Sequence, residues 1–107
     1  MKQYTIPEQT AKLIEMGFNE PKTKLPFEVA NDELGYTYSI GELLSILPST
    51  VGRDYDLHIE FSDTKWYVAY YWIGNGGEYY IKYEISACEL IDALYDMIVK
   101  LKEEEII

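Results

Sequence analysis

Few residues of this 107-residue sequence belong to the types that catalyse reactions. His58 is its one histidine and Cys88 its one cysteine, so the chain can form neither a multi-histidine metal site nor an internal disulfide. Cys88 falls at the second position of a predicted helix, where a thiol pKa is lowered. A Cys88–His58 dyad is one interpretation. The expected register, however, turns His58 away from that helix.

The carboxylates and glycines give no stronger catalytic signal. Glu60 and Glu84 could act as acid and base only inside a cleft. The aspartates within 54–63 lack calcium-loop spacing, and the glycine-rich segment 74–77 lacks the Lys-Ser/Thr ending of a phosphate-binding loop. The sequence therefore predicts no catalytic residue, no metal site and no cofactor, and a protein that is not an enzyme.

Three strands are predicted from the hydrophobic pattern. Segments 55–61 and 79–85 alternate apolar and polar residues, which is typical of strands with one buried face. Segment 65–73 is apolar on both faces and is expected to lie between them. The short connections, 62–64 and 74–77, suit hairpins, so the prediction is an antiparallel meander.

The expected register leaves one aromatic face exposed. Pairing Phe61 with Trp66, and Trp72 with Tyr79, makes the apolar faces agree. The opposite face then carries three tyrosines, a histidine and a lysine: Tyr67, Tyr71, Tyr80, His58 and Lys82. Aromatic side chains rimmed by charge are typical of binding surfaces, so we expect another protein, or a second copy of this chain, as partner. Alternatively, the tyrosines only stabilise the sheet, or the first helix or 18–38 covers them.

Three helices are predicted from capping boxes, in which a Ser or Thr and a Glu three residues later satisfy each other's amides. The boxes are Thr5 with Glu8, Ser39 with Glu42, and Ser86 with Glu89. Apolar spacing extends these starts to helices near 6–16, 40–47 and 87–104. Gly17 is expected to end the first helix in a left-handed conformation, with Phe18 folding back on Leu13. An extended piece or hairpin is expected in 25–38, around 27–29 and 36–38, with its turn at 31–35.

Together these elements predict one α+β domain over residues 1–107. An antiparallel sheet of three to five strands forms one layer. The helices near 40–47 and 87–104 form the other layer, and the N-terminal helix flanks them.

Composition and charge exclude several classes of protein. Sixteen aromatic residues and 48% hydrophobic residues exclude a disordered chain. The net charge of −10 opposes direct nucleic-acid binding. With neither a signal-peptide pattern nor a long apolar run, the chain is expected to be cytoplasmic and not to bind membranes.

The acidity suggests an alternative function. Residues 1–53 carry a net charge of −2 and residues 54–107 one of −8. Carboxylates on the last helix, at Glu89, Asp92 and Asp96, could imitate a phosphate backbone. The alternative is therefore an acidic inhibitor of a nucleic-acid-binding protein.

Three segments carry a resemblance: IPEQTAKLIEMGF, YSIGELLSILPSTV and SACELIDALYDMIVKLKEEEII. They resemble a family of small proteins encoded by prophages and mobile elements of gut bacteria. Glu105 departs from the Gly or Asn of the family's ending. The resemblance implies an origin and a chain layout, and it assigns no functional residue. Together with the exposed sheet face, it leads us to expect a small protein-binding or accessory protein of phage or mobile-element origin.

Overall fold

The helices and strands follow the predicted order. The structure is a computed structural model that describes residues 1–24 and 36–107. The helices within these ranges are α1 (Pro7–Glu15), α2 (Ile40–Ile46) and α3 (Leu90–Glu103). The strands are β1 (Thr23–Lys24), β2 (Tyr36–Thr37), β3 (Thr50–Val51), β4 (Tyr55–Ser62), β5 (Lys65–Ile73) and β6 (Tyr79–Ala87). The predicted α+β class is confirmed.

The strands form two antiparallel sheets within the described residues. The larger sheet has the order β3-β4-β5-β6 and contains the predicted meander. Its added strand, β3, pairs Val51 with Tyr55 and was not predicted. The smaller sheet pairs β1 with β2. Of the hairpin expected over 25–38, the strand at 36–37 is present, whereas 27–29 and the turn at 31–35 lie outside the described residues.

A two-residue turn joins β4 to β5. Ser62 pairs with Lys65 across it. Asp63 and Thr64, between them, have φ angles of 51° and 67°. Positive φ at both central positions is the geometry of a type I′ turn, whose twist matches that of the strands. Thr64 is β-branched and therefore strained in this conformation.

The core lies on one side of the larger sheet. α3 packs on β5 and β6, and α2 packs beside α3. The buried residues that α3 contributes are Leu90, Ile91, Ala93, Leu94, Met97, Ile98 and Leu101. From the sheet, Val68 and Tyr70 are fully buried against this layer. The Tyr70 hydroxyl donates a hydrogen bond to the carbonyl oxygen of Pro48 at 2.7 Å, so the buried phenol is satisfied.

The middle capping box is confirmed. The amide of Glu42 donates to Ser39 Oγ at 3.2 Å, and the Ser39 amide donates to Glu42 Oε1, also at 3.2 Å. At the end of α1, Gly17 takes a φ of 97° and the Phe18 amide reaches the carbonyl of Leu13. That is the expected helix ending with a left-handed glycine.

The other two boxes were wrong. α1 begins after Ile6, whose amide donates to Gln9 Oε1 at 3.0 Å. The third helix begins at Leu90 and not at 87, because pairing with β5 continues β6 to Ala87. Cys88 therefore lies exposed in the connection before α3 and not in its first turn.

Three buried threonine hydroxyls join the N-terminal segment, α1 and β2. Thr5 Oγ1 lies 2.7 Å from Thr10 Oγ1 and 2.8 Å from Thr37 Oγ1. Thr37 donates to the carbonyl of Thr5, Thr10 donates to that of Ile6, and the amide of Tyr38 donates to Thr5 Oγ1. Each buried oxygen thus has a partner, as folded proteins require. The Thr5 hydroxyl, which was expected to cap α1, therefore forms its hydrogen bonds within this network instead.

Candidate functional site: the outer face of the sheet

The outer face is the surface of β4, β5 and β6 that points away from α3. The register between β4 and β5 is the predicted one, since Phe61 pairs with Trp66. In this register His58 lies opposite Ala69, and the flanking outward positions of β5 are Tyr67 and Tyr71. The structure therefore places three of the five predicted residues, His58, Tyr67 and Tyr71, on the outer face.

The predicted register between β5 and β6 was wrong: it differs by two residues where Val68 pairs with Ile85, and by one residue beyond a bulge in β6. Tyr70 pairs with Tyr83, but its neighbour Tyr71 pairs with Ile81, so Lys82 is the extra residue. An extra residue shifts the alternation of a strand by one and reverses which side chains face outward. The predicted pairing of Trp72 with Tyr79 becomes Trp72 with Tyr80.

The bulge moves two predicted residues off the outer face. Tyr80 stacks on Trp72, which points to the side opposite Tyr71, with ring centroids 4.9 Å apart. The ammonium of Lys82 lies 5.5 Å and 5.8 Å from the ring centroids of Tyr55 and Tyr83, two aromatics that pack against the core. Tyr80 and Lys82 therefore do not join His58, Tyr67 and Tyr71.

Two other residues of β6 take their place. Tyr79 and Ile81 now point outward beside Tyr71 and Ile73. The rings of Tyr71 and Tyr79 lie 5.5 Å apart at an angle of 45°. Ile73 is 50% exposed, Tyr79 67% and Ile81 57%, so this end of the outer face is apolar and open to solvent.

A short polar chain runs beside these apolar residues. The Tyr71 hydroxyl lies 3.3 Å from His58 Nδ1, and the two rings meet edge to face at 4.9 Å. On its other side, His58 Nε2 lies 3.7 Å from Glu60 Oε2. The His58 side chain is 42% exposed, and these three groups stand on an open sheet instead of inside a cleft. The arrangement holds the Tyr71 ring in place and supplies no activated nucleophile.

Two clefts lie away from the outer face. A cleft of about 260 Å³ is lined by Thr10, Ile14, Glu20, Pro21 and Tyr36. Another, of about 410 Å³, is lined by Phe18, Asn19, Glu20, Lys22, Tyr38, Glu42, Ser45 and Ile46. Neither brings a histidine or a thiol together with a carboxylate.

The acidic residues of the alternative hypothesis do not form a continuous free band. The amide of Lys2 donates to Glu89 Oε2 at 2.9 Å. Asp92 Oδ1 accepts from Lys2 Nζ and from Gln9 Nε2, each at 2.9 Å. Partial burial, together with the charge of Asp92, raises the pKa of Asp96. Two of the three carboxylates thus fasten the N-terminal segment to α3.

Within residues 1–24 and 36–107, no group of three or more His, Cys, Asp or Glu side chains is placed to hold a metal ion. None of the helices in these ranges is long and apolar enough to cross a membrane.

Comparison with known proteins finds no match to any family model, curated protein or solved structure. The resemblance to proteins of prophages and mobile elements therefore stays a prediction.

Sequence reasoning missed Ile73, Tyr79 and Ile81 as residues of the outer face. The strand ends offered one signal, since Trp72–Ile73 and Tyr79–Tyr80 are adjacent apolar pairs. Where both faces of a strand are apolar, alternation does not fix the register. A bulge in this hairpin was thus compatible with the sequence but not required by it.

Proposed function

We propose that this chain is a small, non-enzymatic accessory protein that binds another protein through the outer face of its sheet. One observation carries the proposal: Ile73, Tyr79 and Ile81 lie side by side on two paired strands, each at least half exposed. Contiguous exposed apolar surface on a folded chain marks an interaction site.

The composition of the face supports protein binding. Tyrosine supplies a large contact area at low entropy cost and is enriched at the centres of protein interfaces. The Tyr71 ring is held between His58 and Tyr79 at centroid distances of 4.9 Å and 5.5 Å. Side chains fixed in this way lose little further freedom on binding.

The exposure of the polar groups on this face favours a binding role for them. His58 and Glu60 are open to solvent, where general acid–base groups gain little from burial or orientation. The exposed Cys88 lies beyond the end of β6 and is not part of the polar chain formed by Tyr71, His58 and Glu60.

The proposal is tested with a double substitution, Tyr79→Ser with Ile81→Ser, in the full chain. Both side chains are exposed, so the fold should persist, as circular dichroism would verify. The matched control is Leu44→Ser with Ile106→Ser, which removes apolar side chains exposed elsewhere. Tagged variants capture proteins from extracts of the cells that make the chain, and quantitative mass spectrometry measures each captured protein.

We expect the control to retain its partners and the outer-face variant to retain about a tenth or less, since each lost hot-spot residue costs more than 1 kcal/mol. Equal capture by the wild type and the outer-face variant would refute the proposal. Loss of partners with the control variant alone would place the contact elsewhere and refute it as well.

A further inference from the structure

We infer that the occupant of the outer face is a short, extended segment of another protein that carries two arginines four residues apart. This inference rests on the proposed function and names the partner class for the same face. It follows from the charge, spacing and size of that face.

The charge of the outer face is negative. Asp56, Glu60 and Glu84 are exposed on it, whereas Lys65 stands at the end of the hairpin. The bulge carries Lys82 to the other side of the sheet, where its ammonium lies near Tyr55. A partner with positive charge is therefore electrostatically complementary to this face.

Each tyrosine of β5 on the face has a carboxylate directly opposite on β4. Asp56 pairs with Tyr71, and Glu60 pairs with Tyr67. Directly opposite side chains in an antiparallel sheet are neighbours. A guanidinium stacks on an aromatic ring and binds a carboxylate with two parallel hydrogen bonds, so a tyrosine beside a carboxylate suits arginine better than lysine.

The two tyrosine–carboxylate pairs set the spacing of the ligand. Tyr67 and Tyr71 are four residues apart on one strand, which corresponds to about 13 Å. An extended peptide lying along β5 has the same rise per residue, so its side chains at i and i+4 reach the two pairs. Apolar residues beyond the second arginine would then meet Ile73, Tyr79 and Ile81.

The size of the face favours a segment over a globular partner. Three strands of about nine residues form a strip about 30 Å long and about 14 Å wide, from the usual strand rise and spacing. A single extended segment matches this long, narrow shape, whereas globular partners usually bury about 800 Å² of accessible surface on each side. A second copy of the chain would also set Asp56, Glu60 and Glu84 against the same carboxylates of its partner.

The experiment uses labelled synthetic peptides and the full chain, with binding followed by fluorescence anisotropy. One peptide has Arg at i and i+4, with leucine and glycine elsewhere. A second has citrulline at both positions, which keeps the shape and removes the charge, and a third has lysine. A fourth has its two arginines at i and i+3.

We expect the first peptide to bind about tenfold more tightly than the citrulline peptide and several-fold more tightly than the other two. Asp56→Asn with Glu60→Gln should abolish this preference. The control, Glu8→Gln with Glu15→Gln, changes the net charge equally on α1 and should keep it. Amide chemical shifts should change along β4–β6 and little elsewhere.

Equal binding of the arginine and citrulline peptides, or equal effects of the two charge variants, would overturn the inference. The proposed function would survive if the outer face still captured a protein of another chemistry. If the Tyr79→Ser/Ile81→Ser variant captures the same proteins as the wild type, the proposed function fails too. Peptide-induced dimerisation of the chain, or chemical shift changes confined to α1 or α3, would also contradict the inference.

Discussion

The buried phenol of Tyr70 leads to a prediction in which one substitution destabilises the protein at neutral pH and stabilises it at alkaline pH. The side chain is fully buried, and its hydroxyl donates to the carbonyl of Pro48 at 2.7 Å. Burial raises the pKa of Tyr70 to about 12 from an ordinary value of 10.0. Tyr70→Phe removes both the hydrogen bond and the titration while leaving the ring in the core.

The size of each effect follows from these contacts. At pH 7 the variant loses one hydrogen bond to a buried carbonyl, which lowers the free energy of unfolding by about 1 kcal/mol. Because the folded pKa is the higher one, the wild type has its full stability below the unfolded pKa of 10.0 and loses it as the pH rises towards about 12. The loss amounts to about 1.4 kcal/mol near pH 11 and approaches about 2.7 kcal/mol at higher pH.

Urea denaturation from neutral to strongly alkaline pH measures the prediction. The other titrating groups are common to both proteins, so the difference between their free energies of unfolding isolates Tyr70. We expect that difference to change sign close to pH 11. Tyr79→Phe, which removes a largely exposed phenol, gives the baseline. A difference that stays constant at about 1 kcal/mol from pH 7 to 12 would refute the reasoning, because it would mean that Tyr70 ionises equally easily in both states.

Three further substitutions test the turn, the threonine network and α3. Thr64→Gly relieves a β-branched residue at a φ of 67° and should raise the free energy of unfolding by about 1 kcal/mol, measured by urea denaturation; an unchanged midpoint would contradict the strain. Thr37→Val leaves the buried Thr5 carbonyl without the hydroxyl that donates to it and should lower the free energy of unfolding by about 1–3 kcal/mol, measured by thermal denaturation, whereas the exposed control Thr50→Val should change little. Asp96→Asn removes a charge that partial burial and Asp92 disfavour. It should therefore stabilise the chain at neutral pH, with a gain that fades as the pH falls through the carboxyl range; a gain that persists in acid would contradict this cause.

Local signals were sufficient for most of the fold. The Ser39–Glu42 box and the glycine ending of α1 depend on contacts within a few residues, so their sequence patterns predicted the geometry directly. The alternation in β4 likewise fixed its pairing with β5, because one face must be buried.

Long-range contacts decided the features that were missed. The Thr5 hydroxyl engages Thr37, 32 residues away, and so does not cap α1. At the other end of the chain, pairing of Ala87 with Trp66 extends β6 through the position expected for the start of α3. The secondary-structure propensities of nearby residues could not indicate these distant hydrogen-bond and strand-pairing partners.

The composition of the candidate site depended on the single extra residue in β6. Without the bulge, Tyr80 and Lys82 would share a face with Tyr71; with it, Tyr79 and Ile81 do. Both arrangements bury the same central residues of β5, Val68 and Tyr70. The bulge changes only which side chains of residues 79–82 face outward. These residues are exposed, so the hydrophobic pattern does not distinguish between the two arrangements.

The bulge at Lys82 also affects how readily the edge of the sheet can pair with strands of other molecules. In the part of the chain that the structure describes, β6 is an edge strand, and a long regular edge is a template for further strands from other molecules. Lys82 divides this edge into regular runs at Tyr79–Ile81 and Tyr83–Ala87 whose side-chain alternation is out of phase. An incoming strand that matched one run would direct its apolar side chains to the wrong face along the other. The bulge that places Tyr79 and Ile81 on the outer face thus also limits aggregation through strand pairing along the β6 edge.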